Sequence, residues 1–93
     1  MRDTDYAKEL ATAIVPVEGT ESELRLERLR IKEFDRDEIR WSWWTGGRLA
    51  PRPLDLTETQ LLELMRRGIE QQVFSTDFLV GLKNRIAAHL DAK

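Results

Sequence analysis

Three tryptophans fall within four positions, Trp41, Trp43 and Trp44, in the stretch EIRWSWWTGG that runs from Glu38 to Gly47. An indole presents a broad apolar ring, so such a cluster can stack nucleic-acid bases, fill a protein interface or build a core. Arg40, Arg48 and Arg52 accompany it with no acidic residue over 39–54, a net charge of +3. Residues 1–38 set eleven acids against seven bases, and 55–93 set six against five. The tryptophan stretch is therefore the one basic island in a chain of overall charge −2. A basic aromatic patch is the footprint of an interaction surface, and tryptophan and arginine are the side chains most enriched at binding hot spots.

Other reactive groups are too scattered to make a reaction centre. His89 is the single histidine and there is no cysteine, so neither a zinc site nor a thiolate nucleophile is expected. Ser22, Ser42 and Ser75 stand in no nucleophile-elbow context, and Ser75 reads as a helix cap. The acids of DRDE, Asp35 to Glu38, read as a solvated turn, and Gly46-Gly47 lacks the spacing of a phosphate loop. No catalytic, cofactor-binding or metal-ligating residue is assigned, and no enzyme activity is expected.

At 93 residues, 41% hydrophobic and 34% charged, the chain has the size and balance of a single small soluble domain spanning 1–93. Its longest apolar run, AIVPV, is too short for a membrane span, and MRDTDYAKEL lacks the apolar centre of an export signal. The expectation is a cytoplasmic protein with no membrane association. Without disulfides its stability must come from packing, aided by self-association.

DTDYAKELATAI places Tyr6, Leu10 and Ile14 at helical spacing, and VPVEGTES follows as a loop, so 1–23 reads as a short N-terminal helix and loop. In ELRLERLRIKEF the pairs Leu24/Leu26 and Leu29/Ile31 alternate out of phase across Glu27 and Arg28, which suggests a strand with a bulge. The residue types there also suit a helix. IRWSWW alternates as a strand, TGG supplies a hairpin turn, and RLAPRPL returns as a strand that Pro51 and Pro53 confine to an edge. Residues 24–54 thus form a three-stranded antiparallel meander. Thr57 with Gln60 makes a capping box, Leu61, Leu62, Met65 and Ile69 line one helix, and Phe78, Leu79, Leu82, Ile86 and Leu90 line a second after Ser75. A helical hairpin at 57–91 packed on one sheet face completes an α+β fold.

The hairpin register decides which way the tryptophans point. A two-residue loop, Gly46-Gly47, pairs Trp44 with Leu49. A three-residue loop from Thr45 pairs Trp44 with Arg48 and separates the faces more cleanly. That second register gathers Ile39, Trp41, Trp43, Leu49, Pro51 and Pro53 as core. It leaves Trp44 outside among Arg40, Arg48 and Arg52, the expected interaction surface. The function expected is a non-enzymatic protein–protein interaction module whose partner is another protein or a second copy. A nucleic-acid-binding module, stacking bases on Trp44 with the arginines on phosphates, ranks below it because the rest of the surface is acidic.

Overall fold

The computed structural model describes residues 2–93, with Met1 outside them. In chain order come β1 (Ala7–Pro16), β2 (Ser22–Ile31), β3 (Arg36–Thr45), β4 (Arg48–Leu49) and β5 (Leu54–Leu56). Two helices follow, α1 (Glu58–Glu70) and α2 (Thr76–Asp91). The fold is α+β, and among the described residues no helix is long and apolar enough to cross a membrane. The chain divides into two compact units, Met1–Leu61 and Leu62–Lys93.

In the first unit β1, β2 and β3 form an antiparallel sheet, and β4 and β5 both pair with the far side of β3. The N-terminal helix expected within 1–23 is not there: Ala7–Pro16 is a ten-residue strand. Thr12, Ile14 and Val15 are β-branched and lose side-chain freedom in a helix. All ten residues but Leu10 find a partner on β2, a ladder that a terminal helix of marginal stability cannot match. The bulge also lies elsewhere. It falls between Glu9 and Ala11 on β1, while β2 runs without interruption against β3. Leu24 and Leu26 are out of phase with Leu29 and Ile31 because the two pairs serve opposite faces of one strand.

The third strand breaks in two. Ala50 still donates to the Trp43 carbonyl, at 2.8 Å, and then the chain leaves the ladder. Pro51 and Pro53 have no N–H to offer. Arg52 between them has φ 61, a left-handed conformation outside strand geometry. Pairing resumes at β5, where Leu54, Asp55 and Leu56 face Trp41, Arg40 and Ile39.

The helices expected at 57–91 are present. At the start of α1, Gln60 N–H donates to Thr57 Oγ1 (3.1 Å) and Thr57 N–H donates back to Gln60 Oε1 (2.9 Å), a complete capping box. Ser75 caps α2 by accepting from Phe78 N–H at 3.1 Å. Between them Gln72 turns left-handed (φ 60), and Val73 N–H reaches back to the Gly68 carbonyl, closing α1 with a Schellman-type bond. Phe74 then stacks on Phe78, ring centroids 5.2 Å apart. Neither helix buries a residue.

Candidate interaction surface

Gly46 and Gly47 have φ 57 and 78, the two positive values that a type I′ turn demands. The loop is therefore the two-residue one. Trp44 pairs with Leu49 and Thr45 with Arg48, and the three-residue register is corrected. The twist of paired strands favours this mirror-image turn, and glycine is the residue that adopts it without strain. The consequence is an exchange of roles among the tryptophans. Trp44 is 8% exposed, whereas Trp41 and Trp43 are 45% and 46% exposed.

On the Trp44 face, Ala7, Leu29 and Ile31 form a small buried apolar cluster beside buried Glu9, Glu27, Glu38 and Ser42. Arginines rather than a second apolar layer accompany these groups. Arg25 and Arg2 lie over the Trp44 ring, their guanidinium carbons 4.0 and 4.8 Å from its centroid. The Trp44 indole N–H donates to Ser42 Oγ (2.9 Å), and Arg2 donates to the Glu27 carboxyl and, at 3.3 Å, to Glu9. Arg40 grips Asp55 with two bonds of 2.7 and 2.8 Å. Among the described residues no buried side-chain polar atom on this face lacks a partner.

The carboxyls of Glu9 and Glu27 are shifted in opposite directions. Burial raises the Glu27 carboxyl, its hydrogen bond to Glu9 raises it further, and Arg2 opposes both. Burial acts to raise Glu9 too, but hydrogen bonds from Glu27, Thr12 and Arg2 outweigh it and hold Glu9 at about 2. Glu27 is thus the carboxyl of the pair that takes up a proton first as pH falls.

The opposite face is apolar and open. The registers align Val15 with Leu24 and Leu24 with Trp43; on the same face Leu26 pairs with Trp41 and Trp41 with Leu54. These six side chains are each between 41% and 59% exposed. The Ala50–Pro53 segment stands along one side and turns the surface into a groove of about 520 Å³. The exposed area of the six is on the order of 600 Å², at the top of the range for the largest apolar patch of a typical monomer, and patches of that size often serve contacts.

Two of the four residues expected at the site lie here and two do not. Arg48, opposite Thr45, shares the Trp43 face by register, and Arg52 lines the groove. Neither makes an ion pair among the described residues. Arg40 and Trp44 belong to the other face, engaged with Asp55 and with the Arg2–Arg25 pair, so the grouping of all four on one surface is corrected. Sequence reasoning missed Leu24 and Leu26 as site residues. Their signal was the phase slip within β2, which marks large apolar residues on both faces of one strand.

At the other end of the groove face Arg28 and Arg30 are neutralised by Asp37, and Arg28 also by Glu58 at 2.6 Å. The face thus runs from a paired, neutral end to a tryptophan end with two unpaired cations. Among the described residues no cluster of three or more His, Cys, Asp or Glu side chains could hold a metal. Comparison with known proteins returns nothing: no family model, no curated protein and no solved structure matches this chain.

Proposed function

We propose that the chain is a non-enzymatic protein–protein interaction module and that the Trp41–Trp43 face is its contact surface. One observation carries this reading: two tryptophans and four aliphatic side chains lie half exposed on one contiguous sheet face. The partner that suits the groove is an amphipathic helix with an apolar stripe for the sheet and carboxylates toward Arg48 and Arg52. The unpaired cations at the tryptophan end supply the charge complementarity, which steers and orients the partner more than it tightens binding. Base stacking is the weaker use of the same face, because among the described residues only Arg48 and Arg52 lie beside it without an ion pair.

The test is a fluorescence titration with two synthetic amphipathic helical peptides sharing a leucine stripe, one flanked by glutamates and one by lysines. The glutamate peptide is expected to shift tryptophan emission to the blue and to bind more tightly than the lysine peptide. Arg48→Glu combined with Arg52→Glu should reverse that order. Trp43→Ser should weaken binding by about tenfold or more, as loss of a hot-spot aromatic does. No response to either peptide would sink the helix-docking reading. A response to a single-stranded oligonucleotide instead, fading steeply with salt, would make the face a nucleic-acid site.

A further inference from the structure

Beside the groove one edge of the sheet is open, among the described residues, over part of its length. β1 pairs with β2 along one side. On its other side the first part is covered by its own chain, where Asp3 bridges to Lys8 and Glu9 N–H donates to the Arg2 carbonyl at 2.8 Å. Among the described residues that cover ends with the Arg2–Glu9 bond, at the bulge between Glu9 and Ala11. Val17 N–H donates to the Ser22 carbonyl at 2.9 Å. The alternation of an antiparallel ladder then gives Ala11, Ala13 and Val15 to β2 and turns the N–H and C=O of Thr12 and Ile14 outward. Pro16, next in that outward series, has no N–H and ends the window.

Soluble proteins guard such edges with charge, proline or a covering segment. Residues 11–15, ATAIV, carry no charge and no proline, while β2 beside them carries Glu23, Arg25, Glu27, Arg28 and Arg30. The far edge of the sheet is guarded in the usual way. β4 has two residues, β5 three, and Pro51, Arg52 and Pro53 separate them. The unguarded window is thus confined to one edge and bounded at both ends, by a bulge and by a proline.

We propose that residues 11–15 are a strand-pairing site and that a second copy of this chain fills it, β1 against β1 in antiparallel sense. A two-fold axis through Ala13 sets Thr12 opposite Ile14 of the second copy and Ile14 opposite its Thr12. The outward groups of those pairs are then satisfied by four backbone hydrogen bonds. Ala13 faces its own counterpart in a non-hydrogen-bonded pair, where side chains come closest. The absence of charge makes the strand compatible with itself, and the register places Leu10 of each copy beside Pro16 of the other. Ala13 and Val15 also line the groove, so pairing brings two grooves together across a continuous sheet. The inference rests on the backbone of the edge and does not require that the groove bind a helix.

The chain has no cysteine, so a single introduced thiol reports cleanly. Ala13→Cys should oxidise to a linked dimer many-fold faster than Glu18→Cys in the β1–β2 turn, since a two-fold axis at residue 13 brings the two sulfurs within bonding reach. Sedimentation equilibrium should show concentration-dependent dimers of the native chain. Ile14→Pro removes one outward donor from each copy without touching the β2 ladder, and should weaken the dimer by about tenfold or more. A chain that stays monomeric at every concentration, with Ala13→Cys oxidising no faster than Glu18→Cys, would overturn the proposal. So would a dimer that survives Ile14→Pro and is lost in Leu26→Lys, which would put the contact on the groove face.

Discussion

Trp44 and Trp43 are neighbours in sequence with opposite surroundings, and substitution should separate them. Removing the buried Trp44 ring leaves Arg2 and Arg25 facing a void beside Glu27, so Trp44→Ala should cost about 3 kcal/mol or more. Trp43 loses a cross-strand contact with Leu24 and already faces solvent, so Trp43→Ala should cost about 1 kcal/mol or less. Urea unfolding followed by circular dichroism gives both values, and a reversed order would mean that the faces are exchanged. The Glu9–Glu27 pair predicts an unusual dependence on pH. Glu27, raised in the folded chain, takes up its proton before the unfolded chain does, so its contribution to stability grows as pH falls toward the ordinary value of 4.5. Glu9, held at about 2, contributes fully above 4.5 and loses that contribution as pH drops toward 2. Asp37, lowered by its hydrogen bonds from Arg30 and Arg28, adds to the loss on the acid side but is screened by solvent. The native chain should therefore gain stability from neutral to weakly acid pH before acid unfolding begins. Glu27→Gln keeps a donor toward Glu9 but has no proton to gain, so its urea midpoint should lack the rise and keep the acid loss. Identical pH curves for the two proteins would place the proton elsewhere.

What the sequence made legible follows from whether the signal was local. Capping chemistry was legible at Thr57, Gln60 and Ser75 because a cap is completed within three residues, and all three side chains make the expected bonds. The strand character of β3 and the presence of a hairpin turn at the glycines were legible for the same reason, but the length of the loop was not. The identity of β1 was not, because Tyr6, Leu10 and Ile14 fit a helical spacing while the residues that make it a strand stand on β2, from Glu23 to Ile31. The site failed on a single residue of register: counting Thr45 in the loop moves every side chain of the returning strand to the other face. α1 offers a test of local chemistry that the sequence did not announce. Gln72 holds the left-handed position of the Schellman closure, where a side chain costs about 1 kcal/mol and glycine costs nothing sterically. Gln72→Gly should therefore stabilise the last turn of α1 by up to about 1 kcal/mol, less the added freedom of the unfolded chain. Slower amide exchange at Gln71 to Val73 is the expected reading, and faster exchange would show that Gln72 contributes something its backbone does not reveal.

Stability should be uneven along the chain. β2 is bonded on both sides, and Leu29 and Ile31 on it are among the most buried side chains in the sheet. α1 and α2, with 13 and 16 residues, bury none, and helices of that length are marginal in water without packing. Their capping box, Schellman closure and Arg66 pairs with Glu63 and Glu70 are local contributions of a few tenths to about one kcal/mol each. Amides in α1 and α2 of the dilute chain should therefore exchange by local opening, roughly a hundredfold or more faster than those of β2 and β3. Heating should remove helical ellipticity gradually, ahead of the cooperative loss of the Trp44 environment. The apolar positions of these helices, Leu62, Leu64, Ile69, Phe78, Ile86 and Leu90, are half to three-quarters bare. Should their amides prove as slow as those of β2, those positions must be covered in solution. Protection that fades on dilution would then identify the cover as a second copy of the chain, and would make the helices as well as the β1 edge part of its self-association.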